Sequence, residues 1–329
     1  MQRSIWKEWT QKEIELLKKI WPTHSNYEAH VAFKEAGFNR PITSLENKAS
    51  RMRIVKKPET VRLAREKSQN PFDYTDVMDK LDWLPTFNTF ENITQKVITI
   101  CCDTHVPLID KDMIEKMCVM SKQFQSDTCL IVGDFMDQSL FSQFLNYVES
   151  EVKTWTFELE VASTLLKQLL KTFKRVYVTK GNHDMRILRL AFGRIGMKHI
   201  FKWMDAYDAK RVIVSEYPFC HVHSGEKLWR CTHAKNYSQH YAVAVPKRMA
   251  EKHECEVINA GGHLTGQGFS PSGRMIIGLG LMGDPSKFEY IHMSDTTHPK
   301  WNPAFVILRN GFPFVFSKHG TDWGYWLKG

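Results

Sequence analysis

Cys129-Leu130-Ile131-Val132-Gly133-Asp134-Phe135-Met136-Asp137 is the stretch on which the reading of this chain turns. A short apolar run meets a glycine and a carboxylate at once, and a second carboxylate follows three positions on. Apolar runs of this length bounded by a turn residue predict a buried strand. Polar groups just past the C-terminal ends of strands are where open α/β sheets bind ligands. The same pattern recurs on both sides. Upstream, Val97–Cys101 ends at Asp103-Thr104-His105; downstream, Val176–Val178 ends at Gly181-Asn182-His183-Asp184. Further β-like runs fall at 211–215, 228–232, 255–259, 274–279, 304–309 and 313–317, with Gly262-His263 just beyond the third of these. Helical spacing of Trp155, Leu159, Leu165, Leu166, Leu169 and Phe173 predicts a long amphipathic helix over 152–174.

Four clusters therefore gather at strand ends: Asp103-Thr-His105, Gly133-Asp134-Phe-Met-Asp137, Gly181-Asn182-His183-Asp184 and Gly262-His263. Carboxylate and imidazole donors suit Mn²⁺, Fe²⁺ or Zn²⁺, and no cysteine is placed to make a soft sulfur site. A carboxylate shared by two ions about 4 Å apart is the usual way to clamp a phosphoester. Taken alone, a D-x-H or a G-H is an ordinary loop. In order and together, D-x-H, G-D-x-x-D and G-N-H-D make residues 94–320 resemble the calcineurin-like metallophosphoesterase family.

The resemblance implies an α/β fold, a β-sandwich flanked by helices, and a metal-dependent hydrolase of phosphate esters. It implies Asp103 and His105 as ligands of a first ion, Asp134 as the bridge, and Asn182 and His263 as ligands of a second. A histidine from a later strand completes that set. His233, in Leu228-Trp-Arg-Cys-Thr-His233-Ala234, is the best match, with His223 and His240 as fallbacks. His183 corresponds to the general acid or charge stabiliser beside the leaving-group oxygen, and Asp137 to the group that holds its imidazole. Two departures stand out. The family's G-H-x-H reads Gly262-His263-Leu264-Thr265 here, so the first ion loses an imidazole. The expectation is one tight and one weaker divalent ion, probed first as Mn²⁺, with Gln267 or a water in place of the missing nitrogen. Gln138 stands where phosphatase relatives usually carry arginine.

Gly278-Leu-Gly280-Leu-Met-Gly283 matches the G-x-G-x-x-G of dinucleotide folds. Asp284-Pro285-Ser286 follows it instead of a helix, so no nucleotide cofactor is expected and the segment reads as a tight turn near the metal site. The seven cysteines form no C-x-x-C pair and read as reduced, buried thiols. Nothing at the N-terminus reads as a signal peptide and no apolar run reaches about 20 residues, so a soluble, cytoplasmic protein with no membrane partner is expected.

Charge divides the 329 residues unequally. Residues 1–70 carry 15 Lys/Arg and 8 Asp/Glu, whereas the other 259 carry 30 and 28. Thr10 and Glu13 make a capping box for a first helix that Pro22 stops. Asn26 opens a second, ended by Gly37, and Pro41 and Thr43 open a third. This module, residues 1–57, resembles the Myb-like helix-turn-helix group through Trp9-Thr10-x-x-Glu13-x-x-x-Leu17 and Ser44-Leu-x-x-Lys48-Ala-x-Arg51. The resemblance implies DNA as the partner, met by Arg40, Ser44, Asn47, Lys48 and Arg51. A three-helix module that docks a protein is the plainer alternative. Residues 58–93 read as a linker, a charged helix over 56–69 and then an aromatic strap over 71–87, leaving 94–329 for catalysis. A nucleic-acid phosphodiesterase is the expected whole, against a phosphomonoesterase, a small-nucleotide phosphodiesterase or a catalytically weakened DNA-binding protein.

Overall fold

The computed structural model describes residues 8–69, 90–143, 154–234, 240–293 and 300–328, and the chain divides into two units, Met1–Thr86 and Phe87–Gly329. In the first, α1 (Gln11–Ile20), α2 (Asn26–Glu35) and α3 (Ile42–Arg51) surround a core of Leu17, Ile20, Trp21, Ala29, Phe33, Leu45 and Ala49. Thr10 and Glu13 form the expected capping box. The cap of α2 is Ser25, not Asn26, because Glu28 three residues on closes a second capping box with it. A charged helix, α4 (Pro58–Gln69), follows. The expected strap over 71–87 lies outside the described residues.

In the second unit, residues alternate between two cores with the period of two that strands impose. Along β2 (Val97–Cys102) and β3 (Thr128–Val132), Ile98, Ile100, Cys102, Leu130 and Val132 face one core, and Cys101, Cys129 and Ile131 the other. Both strands are buried almost throughout, as parallel strands covered on both faces must be. The helix α5 (Lys111–Gln123), which carries no motif and was not anticipated, packs against α6 (Trp155–Thr172), beginning three residues later than the pattern predicted. Met113, Met117, Leu165, Leu166, Leu169 and Phe173 from these helices close the first core.

Beyond β4 (Arg175–Thr179) come the short helices α7 (Met185–Leu190) and α8 (Met197–Lys202), then β5 (Val212–Val214). Next are β6 (Phe219–Ser224), β7 (Lys227–His233), α9 (Ala244–His253), β8 (Glu256–Ala260), β9 (Gly266–Phe269) and β10 (Met275–Gly278). The helix α10 (Glu289–Met293), strands β11 (Ala304–Arg309) and β12 (Phe312–Ser317) and the turn α11 (Trp323–Trp326) complete it. With β1 (Asn92–Thr94), the described strands form two mixed six-stranded sheets, ordered β1-β6-β7-β8-β10-β9 and β12-β11-β2-β3-β4-β5. Ile93, Val222, Trp229, Ile258 and Ile277 of one sheet meet Ile98, Ile100, Leu130 and Val306 of the other. The second unit is thus an α/β metallophosphoesterase fold, two sheets face to face with helices outside. Strands β2, β3 and β4 run parallel, so their C-terminal loops emerge at one edge beside those of β7 and β8. All seven cysteines are free and buried.

Candidate metal centre

The loops after β2 and β3 are laced together by backbone bonds. Asp103 N–H donates to Gly133 O, His105 N–H to Asp134 O, and Asp137 N–H to Val106 O, at 2.9–3.1 Å. The glycine-rich turn after β10 closes on them: Met282 and Gly283 N–H both donate to Asp103 O at 3.1 Å, so the dinucleotide-like pattern serves close backbone approach. Strain concentrates here. Asp103, His105, Asp134, Gln138 and His263 all have φ between 44° and 55°, a left-handed conformation that non-glycine residues hold only when the surroundings impose it. The motif glycines supply room. A Cβ on Gly181 would lie 2.1 Å from Asp134 Oδ1, and one on Gly133 2.5 Å from the His233 ring.

Asp103, His105, Asp134, His233 and His263 are buried together at this edge. His233 Nε2 lies 3.0 Å from Asp103 Oδ1 and 3.1 Å from Asp134 Oδ2. His263 Nε2 lies 3.4 Å from Asp103 Oδ1 and 3.3 Å from His105 Nε2. His105 Nε2 in turn is 3.9 Å from Asp103 Oδ1 and 3.8 Å from Asp134 Oδ2. The side chains group differently from the expected division. His263 joins Asp103 and His105, and His233 joins Asp103 and Asp134, so Asp103 shares in both groups. Asn182 is exposed and makes no side-chain hydrogen bond among the described residues. Of the fallback histidines, His223 sits on the exposed face of β6 and His240 is also exposed.

Beside this cluster, Asp137 Oδ1 is 3.0 Å from Nδ1 of both His105 and His183. It therefore orients a second imidazole as well as the one the resemblance assigned to it. Arg186, a residue the sequence reading passed over, donates to Asp137 O at 2.7 Å and brings Nη2 within 3.3 Å of His183 Nε2. Its only signal in the chain was a place three residues past His183, one helical turn on. Asp184 accepts from Gly181 N–H at 2.9 Å and Met136 N–H at 3.3 Å, pinning two motif loops together. Behind them, Glu158 of α6 accepts from Gln138 N–H at 2.6 Å, and Gln138 Oε1 accepts from Ile187 N–H at 3.0 Å. Thr265 does not face the cluster with a free hydroxyl, which donates to Asn302 O at 2.9 Å; Gln267 is exposed on β9.

Electrostatics show what the cluster draws in. Burial opposes charge on Asp103 and Asp134, but the His233 imidazole, with its neighbours, holds both carboxyls below their usual range. Burial likewise opposes, and is overcome at, Asp137 by hydrogen bonds from His105 and His183. His233 is held well above an ordinary histidine, against its burial, by Asp134 and then Asp103. Burial, with His183 nearby, pushes His105 down. Burial and the Asp134 charge raise Asp184 to about 7. Two buried carboxylates thus demand positive charge, and two imidazole nitrogens face each other across 3.3 Å. Divalent cations would satisfy both, and the oxygen and nitrogen donor set fits a dinuclear site.

In the first unit, Asn47 and Arg51 are exposed on α3, while Ser44 and Lys48 are half-buried, with Lys48 Nζ 5.6 Å from the Trp9 ring centre. Arg40 is not presented to a ligand. Its guanidinium donates to Glu13 Oε1 at 2.7 Å and to Glu8 O at 2.7 Å, and lies over Trp9 at 4.9 Å.

Solved structures of similar fold include an archaeal phosphodiesterase (16% identity, TM-score 0.37, covering 67% of this chain and 99% of that one). Others are Vps29 of Chaetomium thermophilum (10%, 0.35, 68% and 94%) and the E. coli phosphoesterase Yfce (11%, 0.37, 65% and 88%). Likenesses this distant carry no function across. No curated protein matches the chain in sequence. The sequence pattern of the calcineurin-like phosphoesterases, by contrast, matches residues 96–265, just over half the chain and all four strand-end motifs. With its buried aspartate and histidine cluster, the chain belongs to the calcineurin-like phosphoesterase family and is a metal-dependent phosphoesterase.

Proposed function

We propose that the protein hydrolyses phosphodiester bonds of nucleic acid, DNA foremost, with its N-terminal unit as the tether. One observation carries the hydrolytic part: three imidazoles and two carboxylates, all buried, converge at the edge where five strands end. Asp103, His105, Asp134, His233 and His263 would hold divalent ions, with Asn182 reaching in from its exposed loop. When bound, such ions neutralise phosphoryl oxygens and make water a nucleophile at neutral pH. His183, held by Asp137, stands ready to give a proton to the leaving oxygen. Arg186, beside the same imidazole, would take a phosphoryl oxygen and so replace the arginine missing at Gln138.

The nucleic-acid part rests on the first unit. Residues 1–57 carry 12 Lys/Arg and 6 Asp/Glu, and α3 exposes Asn47, Ser50 and Arg51 on one side of a helix whose other side packs Leu45 and Ala49. That is the form of a helix that enters a groove of DNA in the Myb-like manner. Arg40 drops out of the contact set because Glu13 holds it.

The test is hydrolysis, with Mn²⁺, of plasmid, single-stranded DNA, bis-p-nitrophenyl phosphate and p-nitrophenyl phosphate. Both DNA substrates and the diester should be cleaved, and Asp134→Ala and His263→Ala should abolish all of it without unfolding the protein. Turnover of the monoester alone would make this a phosphomonoesterase. DNA binding with no turnover of any substrate would make it a binding protein.

A further inference from the structure

The segment after the catalytic loop carries a feature that hydrolysis of a small ester does not need. A cavity of about 520 Å³ opens beside α7, lined among others by Lys180, Leu188, Arg189, Phe192, Arg194 and Glu216. Lys180 immediately precedes Gly181 of the catalytic loop. On α7, Arg186 turns to His183 and Asp137, and Arg189, one turn on, reaches the cavity. Both Arg189 and Arg194 are exposed, and their guanidinium groups make no hydrogen bond or ion pair among the described residues. Residues 180–202 hold Lys180, Arg186, Arg189, Arg194, Lys198 and Lys202 against Asp184 alone. Glu216 on the far wall is the acidic counterweight, 3.8 Å from Lys180.

Phe192 is the telling residue. Helix α7 ends in a Schellman turn: Gly193 N–H donates to Leu188 O and Phe192 N–H to Arg189 O, both at 3.0 Å. The position in the left-handed conformation, where glycine is the usual choice, is Phe192 itself, with φ at 51°. A bulky aromatic is disfavoured there. Packing does not compensate, since Phe192 is 86% exposed. Arg53 and Gln125 hold the same position at the ends of α3 and α5, so what sets Phe192 apart is a large aromatic ring left exposed there. An exposed aromatic ring lining one cavity with two guanidinium groups that are unpaired among the described residues is what a single-stranded nucleic acid meets in proteins that bind it, bases on rings and phosphates on arginines.

We infer that the cavity beside α7 is a polynucleotide subsite, in which Phe192 stacks on a base of a single strand and Arg189 and Arg194 hold the adjoining phosphates. The idea rests on the nucleic-acid reading above and extends it to a second point of contact within the catalytic unit. A strand engaged there enters the metal centre along α7, past Arg186.

The test is binding by the full-length protein, with Mn²⁺ present, of a fluorescein-labelled hexathymidylate with phosphorothioate linkages. These resist cleavage, and a single-stranded hexamer offers α3 no duplex to read. Phe192→Gly should weaken binding at least about fivefold. It should also raise the melting temperature, because glycine relieves the left-handed backbone. Arg189→Gln with Arg194→Gln should weaken binding and flatten its dependence on salt. Hydrolysis of bis-p-nitrophenyl phosphate should be unchanged in every variant. A wild-type protein that does not bind the hexamer, or variants that bind it as tightly as wild type, would overturn the subsite even if DNA is cleaved. If wild type binds and the variants do not, the subsite stands even if no DNA is cleaved, and only the hydrolytic reading falls.

Discussion

Thr265 and Gln138 are the two positions at which this centre departs from the family pattern, and Arg186 lies close to the second. The Thr265 hydroxyl is spent on Asn302 O, and Gly280 packs so close that a Cβ there would lie 2.3 Å from that hydroxyl. Threonine supplies no ligand from that position, so of the family's two histidines only His263 reaches Asp103 and His105. The ion on the Asp103–His105 side should therefore bind more weakly, and the protein should purify with about one ion and need added Mn²⁺. Thr265→His should lower the Mn²⁺ concentration for half-maximal rate by about tenfold or more, as gain of a coordinating group does. Metal titration of both proteins reads this directly; an unchanged midpoint would mean another group already fills the position. Arg186→Gln should reduce kcat/KM for a diester by about 10²-fold, the cost of losing one charge-stabilising donor at a reacting phosphorus. Steady-state kinetics on bis-p-nitrophenyl phosphate measures it, and a loss confined to stability would reduce Arg186 to a support for Asp137.

At the scale of elements, the site is held by strand ends in front and by α6 behind. Glu158 of α6 is buried and raised to about 8, first by burial, against the hydrogen bond from Gln138 N–H and with help from the Asp137 charge. The folded protein thus keeps a proton on Glu158 that the unfolded chain releases near the ordinary glutamate value. Its contribution to stability is whole below that value, declines as pH rises and is lost as pH passes about 8. Glu158→Gln removes the titrating group and keeps an acceptor for Gln138. It should leave stability unchanged below pH 4.5 and raise it by a few kcal/mol near pH 8, about 1.4 kcal/mol for each unit of displacement. Thermal unfolding at both pH values decides it. In the first unit the sign reverses: Arg40 lowers Glu13 to about 2, so that pair stabilises above the usual glutamate range and fails as pH falls towards 2.

At the scale of the molecule, two units divide the charge and the chemistry. Most of the positive excess lies in residues 1–70, and the second unit carries all of the clustered aspartates and histidines. Removing residues 1–57 should weaken binding to duplex DNA and reduce its salt dependence, because phosphate contacts release counterions. Hydrolysis of bis-p-nitrophenyl phosphate should persist at the wild-type rate. Binding isotherms at several salt concentrations, with and without the segment, check both; equal affinity would show that the second unit alone holds the DNA.

What the sequence by itself determined is what local chemistry dictates. Apolar runs ending in Asp103, Gly133-Asp134 and Gly181-Asn182-His183 made the strands and put polar groups at their ends, and the capping boxes and charge of residues 1–57 are equally local. Beyond that reach, the pattern was silent or misleading. Helix α5 bears no motif, β1 and β9 are three and four residues long, and Ser25 outcompeted Asn26 through a glutamate three positions away. Only the tertiary structure decided that His233 rather than His223 meets Asp103, 130 residues away, because β7 lies parallel to β8 and ends at the same edge. It also set Arg40 on Glu13, Arg186 on His183 and Thr265 on Asn302. Such pairings depend on how distant strand ends and loops converge in space, and periodicity along a chain carries no record of that distance.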